Sequence, residues 1–180
     1  MQRISVVGNS GSGKSTFAKQ LAAILHLKHI ELDSIFHQEN WTPLPDHEFV
    51  SAVTNATSEN NWVACGNYGK VRDIVWSRAD TIVVFDFPRR IVMWRVIKRT
   101  TKRFLRREVL WNGNRESLRN ALSLHDPEKS IISWAWTQHS VYSAVYRDER
   151  KNNSSPHVQW IFFTSPQEVR DFLDSCSKKQ

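Results

Sequence analysis

Apolar residues recur along the chain in two alternating rhythms. Short runs around Ile4 to Val7, His29 to Asp33, Trp62 to Cys65, Thr81 to Asp86 and Val158 to Phe163 read as strands. Between them, apolar positions repeat at helical spacing. Phe17, Ala18, Leu21, Ala22 and Leu25 form the first such set, and Phe49, Val50, Val53 and Ala56 the second. Val71, Ile74 and Val75 follow, then Ile91, Trp94, Val96 and Ile97, read as turned to the core. Ile131, Trp134, Trp136, Val141 and Val145 mark a long helix, and Val169, Phe172 and Leu173 a last one. Asp46 reads as a helix cap, Pro88 as a helix start, and Ser165-Pro166-Gln167-Glu168 as a capping box with proline at the first helical position. Five strands separated by helices predict an α/β fold of three layers, with helices on both faces of a parallel sheet. Right-handed crossovers would gather the strands' C-terminal ends on one edge, with Asp33, Gly66 to Tyr68, Asp86 and the Thr164-Ser165 turn. Open sheets of this kind bind their ligands there.

The junction between the first strand and the first helix carries the most specific chemistry. Gly8, Gly13, Lys14 and Ser15 satisfy the phosphate-loop spacing G-x-x-x-x-G-K-[ST], and strand, loop and helix follow in the required order. Such a loop wraps a phosphate chain with backbone N–H groups, and the helix N-terminus favours the negative charge. The expected ATP-binding residues are therefore Gly8, Asn9, Ser10, Gly11, Ser12, Gly13, Lys14, Ser15 and Thr16. Lys14 would reach the terminal phosphates, and the Ser15 hydroxyl would ligate Mg²⁺.

Composition narrows the picture. A chain of 180 residues, 40% hydrophobic and 24% charged, suits one domain over 1–180. The net charge of +7 suits polyanionic partners, nucleotides or nucleic acid, without choosing between them. Cys65 and Cys176 form neither a metal spacing nor a disulfide framework, and Met1 leads straight into the first strand. A cytoplasmic location is expected. No apolar run approaches the length of a membrane span, so no membrane partner is expected. The histidines form no zinc-like cluster, and N-K-x-D, the guanine signature of GTPases, is missing.

Nine basic residues lie between Arg89 and Arg107, enough to close over a nucleotide's phosphates and stabilise a transferring phosphoryl group. Phe85-Asp86-Phe87-Pro88 leading into Arg95 and Arg99 resembles the fourth strand and lid start of the adenylate-kinase-like nucleoside and nucleotide kinases, which include shikimate kinase. Gly66-Asn67-Tyr68-Gly69-Lys70, Trp111-Asn112-Gly113-Asn114-Arg115-Glu116 and Trp134-Ala135-Trp136 are similar to the bacterial group labelled DNA topology modulation protein. The resemblance implies a P-loop kinase fold with strand order 2-3-1-4-5, an arginine-rich lid over about 100–119 and an acceptor-binding segment over about 34–60. It implies that Arg95 and Arg99 face ATP and that Arg115 and Arg119 are the lid's second arginine pair. Lys14, Asp33, Arg115 and Arg119 are then the catalytic candidates.

Two departures from the family pattern shape the reading. Cys65 stands where relatives carry an aspartate that helps hold Mg²⁺, which makes Asp33, ahead of Asp86, the metal-side carboxylate beside Ser15. The segment 34–60 contains no arginine or lysine, so an acceptor phosphate would rely on Arg72 or the lid, and Asp33 with Arg72 forms the expected acceptor site. The implied activity is ATP-dependent phosphoryl transfer to a small hydroxyl or phosphate acceptor, nucleoside- or nucleotide-like. The competing readings are an ATP-switched regulatory or nucleic-acid-binding protein, which no sequence motif supports, and an ATPase without a dedicated acceptor.

Overall fold

The strands are β1 (Arg3–Gly8), β2 (Lys28–Glu31), β3 (Trp62–Cys65), β4 (Thr81–Phe85) and β5 (Gln159–Phe163). In the computed structural model, which describes residues 1–115, 130–152 and 157–178, they form one sheet in the order β2-β3-β1-β4-β5. Every neighbouring pair is parallel. The central strand β1 is buried from Ile4 to Gly8, as a strand covered on both faces must be.

Period-two alternation sorts the strand residues between two cores. Ile4, Val6, Val63, Cys65, Val83 and Phe85 pack with Phe17 and Leu21 of helix α1 (Lys14–Ile24), Val92 and Val96 of the fifth helix and Cys176 of the last. Val7, Ile30, Trp62, Ala64, Ile82 and Val84 pack on the opposite face. There they meet Leu32 of α2 (Leu32–Phe36), Phe49 and Val53 of α3 (Asp46–Ala56), and Val71 and Val75 of α4 (Gly69–Arg78). After β4 comes α5 (Arg89–Leu105), and the two remaining described helices are α6 (Ile131–Asn152) and α7 (Pro166–Ser177). Helix α6 serves both cores, with Ala135 in one and Tyr146 in the other. Among the described residues no helix is long and apolar enough to cross a membrane. Both cysteines are free.

Four local expectations are corrected. Strand β2 ends at Glu31, not Asp33; Asp33 lies in the first turn of α2. Asp46 does not cap α3, because Pro45 holds the cap position and the Asp46 carboxylate pairs with Lys70 at 2.5 Å. Trp94 and Ile97 do not face the core: they are 62% and 48% exposed, and Val92, Val96 and Thr100 form the buried face of α5. A helix that must offer arginines to a loop on one flank turns a different set of positions inward than an apolar count suggests. The capping box at α7 is half reciprocal: Ser165 Oγ accepts from Glu168 N at 3.4 Å, but the Glu168 carboxylate reaches the Thr164 N–H and hydroxyl.

Candidate functional site

The phosphate loop leaves β1 at Gly8 and enters α1 at Lys14. Gly8 has φ +141°, and a Cβ there would stand 2.6 Å from Phe85 Cβ; at Gly11, φ +78°, a Cβ would strike the Val96 side chain. Glycine is demanded at both by backbone angle and by the closeness of β4 and α5. The loop is braced from three sides. Asn67 grips Gly8 through both backbone groups, with its Oδ1 accepting from Gly8 N at 3.0 Å and its Nδ2 donating to Gly8 O at 2.5 Å. Asn9 Nδ2 donates to Ala135 O of α6 at 2.7 Å. From α5, Arg95 donates to Ser12 O at 2.8 Å and Arg99 to the Ser10 hydroxyl at 3.2 Å. Helical spacing of i and i+4 puts these two guanidinium groups on one flank of α5. The loop residues Asn9 to Thr16, Arg95 and Arg99 are thus assembled in one place.

Beneath the start of α1, Ser15 Oγ lies 3.6 Å from Cys65 Sγ. Burial pushes the Cys65 thiol up to about 12, against a smaller opposing pull from Lys14 and Ser15. Cys65 is therefore a neutral thiol at neutral pH and supplies no charge where an aspartate would. A carboxyl side chain stands next to it. Glu31 pairs in register with Cys65, and since Ile30 turns to the opposite core, Glu31 shares the Cys65 face. Its Oε1 is buried without a hydrogen-bond partner. The sequence reading passed over Glu31; the signal was present in the alternation of β2 against its buried Ile30.

Asp33 stands across this edge, its Oδ1 accepting from Tyr68 OH at 2.7 Å. Burial, then the Asp33 charge, pushes the Tyr68 phenol well above its ordinary value, so it stays a donor. His37 Nε2 lies 3.5 Å from the same hydroxyl, and burial holds the imidazole below its usual value despite Asp33. Phe36, Phe49 and Tyr68 pack their rings within 5.1 Å of each other, centroid to centroid, and fix the wall behind Asp33. Asp33 and Tyr68 therefore come together with the loop, with Asn67 linking the two.

The Trp111–Gly113 turn docks on residues 34–41. Asn112 Nδ2 donates to His37 O at 2.5 Å and Ser34 O at 3.2 Å. The buried Asn114 donates to Gln38 O and accepts from Trp41 N, both at 2.8 Å. Trp41 Nε1 donates to Arg115 O at 3.1 Å. Arg115 is thus held beside Trp41 through its backbone, and Arg119 lies outside the described residues. Arg72 is engaged elsewhere, pairing with Glu149 at 3.2 Å and lying over Trp76 at 5.4 Å. It lines a cleft with about 300 Å³ of open and enclosed space, together with Leu32, Gly66, Asn67 and Tyr68. Asp86 is a tie to α6, accepting from Ser143 at 2.6 Å and pairing with Arg147 at 2.6 Å.

Loop, flanking arginines and strand order together define a P-loop kinase fold. Solved structures agree. A shikimate kinase from Acinetobacter baumannii aligns with TM-score 0.60 and 16% identity over 97% of this chain and 90% of its own. A gluconokinase from Sinorhizobium meliloti 1021 aligns with TM-score 0.55 and 17% identity over 98% and 90%, and a shikimate kinase from Aquifex aeolicus with 0.54 and 15% over 98% and 97%. At these identities the likeness is one of fold. No family model and no curated protein matches the chain.

Proposed function

We propose that this protein is an ATP- and Mg²⁺-dependent small-molecule kinase that phosphorylates a hydroxyl group on an uncharged acceptor, a nucleoside or another hydroxyl compound. The observation that carries the reading is the meeting, on one sheet edge, of the Lys14–Ser15 phosphate loop with a Tyr68-held Asp33 carboxylate. The gluconokinase and shikimate kinases of like fold are small-molecule kinases by name, which supports it. A phosphorylated acceptor is disfavoured, since residues 34–60 carry no arginine or lysine and Arg72 is already paired. A reducing, ATP-supplied compartment, the cytoplasm, goes with this reading.

The donor half follows from the loop. Backbone N–H groups and Lys14 hold the phosphate chain, and Arg95 and Arg99 flank it. The Ser15 hydroxyl and the unpartnered Glu31 oxygen fit a divalent cation, with Cys65 as a neutral neighbour. When bound, Mg²⁺ supplies charge neutralisation at the β- and γ-phosphates. On the acceptor side, the Asp33 oxygen left free by Tyr68 accepts the acceptor hydroxyl's proton as its oxygen bonds to the γ-phosphorus and the bond to ADP breaks. Lid arginines, Arg115 and Arg119, would neutralise the transferring group.

The test is a phosphoryl-transfer screen with ATP and Mg²⁺ against nucleosides, nucleoside monophosphates and non-nucleotide alcohols. Transfer to a neutral hydroxyl compound is expected, abolished by Lys14→Ala and slowed roughly 10²–10⁴-fold by Asp33→Asn. No transfer to any acceptor, together with salt-sensitive DNA binding that survives Lys14→Ala, would overturn it.

A further inference from the structure

Helix α5 is apolar on two sides. Val92, Val96 and Thr100 face the core, and Arg95 and Arg99 face the phosphate loop. A further row faces solvent: Trp94 at 62% exposure, Ile97 at 48% and Leu105 at 73%. At 100° per residue these three fall within about 80° of arc, and from Trp94 to Leu105 they run about 16 Å along the axis. Arg90 falls within the row and Lys98 and Lys102 lie along one side of it, all exposed. The Lys98 ammonium lies 4.7 Å from the Trp94 ring centre. No acidic residue occurs from Pro88 to Arg107, and among the described residues no carboxylate pairs with Arg90, Lys98 or Lys102.

We propose that this outer face of α5 adsorbs the protein to a membrane surface containing anionic lipid. Its residue types are those of an interfacial helix: Trp, Ile and Leu at the depth of the acyl boundary, with lysine and arginine stems snorkelling to the headgroup phosphates. The absence of a membrane-spanning segment is no obstacle, because adsorption needs none. Charge decides against a second copy of the chain, since two such faces would oppose basic residue to basic residue. Side-chain type decides against single-stranded nucleic acid. Bases stack on open aromatic faces, whereas Lys98 lies over the Trp94 ring, Ile97 and Leu105 offer no ring, and Phe104, at 40% exposure, is the one other ring beside the row. The Trp94, Ile97 and Leu105 row lies about 80° or more round α5 from Arg95 and Arg99, with Lys98 and Lys102 between.

The experiment is co-sedimentation of the full chain with vesicles of phosphatidylcholine mixed with phosphatidylglycerol, with vesicles of phosphatidylcholine alone, and anisotropy with an unstructured single-stranded oligonucleotide. Binding to the mixed vesicles is expected, weakened by salt and roughly fivefold by each basic side chain removed. Lys98→Glu with Lys102→Glu should release the protein from vesicles, and so should Trp94→Ser with Leu105→Ser, while circular dichroism stays unchanged. These variants sit on exposed positions, so loss of fold does not confuse the result. Equal pelleting of the Trp94→Ser, Leu105→Ser variant, pelleting on neither vesicle, or binding to the oligonucleotide alone would overturn the proposal.

Discussion

Single side chains carry the tension between strand ends and the site in this protein. Asp80, just before β4, accepts from the backbone N–H of Gln2 at 2.8 Å and Arg3 at 2.9 Å and from the Thr81 hydroxyl at 2.7 Å. Partial burial opposes its ionisation, but these hydrogen bonds outweigh it and hold its carboxyl below the usual value. A carboxylate held low contributes stability above its unfolded value and loses it as pH falls through the folded one. Asp80→Asn should therefore cost about 1–2 kcal/mol at neutral pH, discounted for partial exposure, and the gap to the parent should close in acid as the pH falls through the lowered folded value. Urea unfolding at both pH values reads it; a gap that persists in acid would contradict the assignment. The same scale explains Cys65. Its side chain could be read as small and buried from sequence, and it is. That Glu31, one strand away, stands beside Cys65 was a matter of which residues the register sets side by side.

Among the elements, Asn112 and Asn114 dock the Trp111–Gly113 turn on residues 34–41. Its two asparagines differ in burial. Asn114 is 4% exposed and satisfies backbone groups of Gln38 and Trp41, whereas Asn112 is exposed. Asn114→Ala should open this contact by about 1–3 kcal/mol, the cost of leaving buried groups unpaired, and Asn112→Ala by less. Amide exchange at Trp41 is the direct readout. A raised acceptor KM with global unfolding little changed is the expected companion, and equal exchange in the two variants would count against the ranking. The resemblance singled out the Trp-Asn-Gly-Asn segment, but its contact with 34–41 was hidden, because no sequence spacing relates turns more than 70 residues apart.

At the scale of the molecule, one sheet edge gathers groups from β1, β2, β3 and α5, and nucleotide should stabilise the whole. At a hundredfold excess over Kd, Mg²⁺-ATP should add about 2.7 kcal/mol, a rise in Tm of roughly 5–10 °C for a chain this size. Lys14→Ala should remove most of that rise without moving the unliganded midpoint. A rise equal in both proteins would place the nucleotide elsewhere.

The sequence by itself determined the architecture and the donor loop. Five apolar runs separated by helical repeats leave little choice but a covered parallel sheet, and the phosphate-loop residues are contiguous, so their chemistry is local. Tertiary structure alone decided which face of α5 looks inward, that Arg72 pairs with Glu149, that Asp33 is gripped by Tyr68, and that Glu31 stands beside Cys65. Each of these depends on side chains brought together from distant parts of the chain. A helix periodicity fixes a stripe but not its orientation when, as in α5, both the core and the solvent are met by apolar rows.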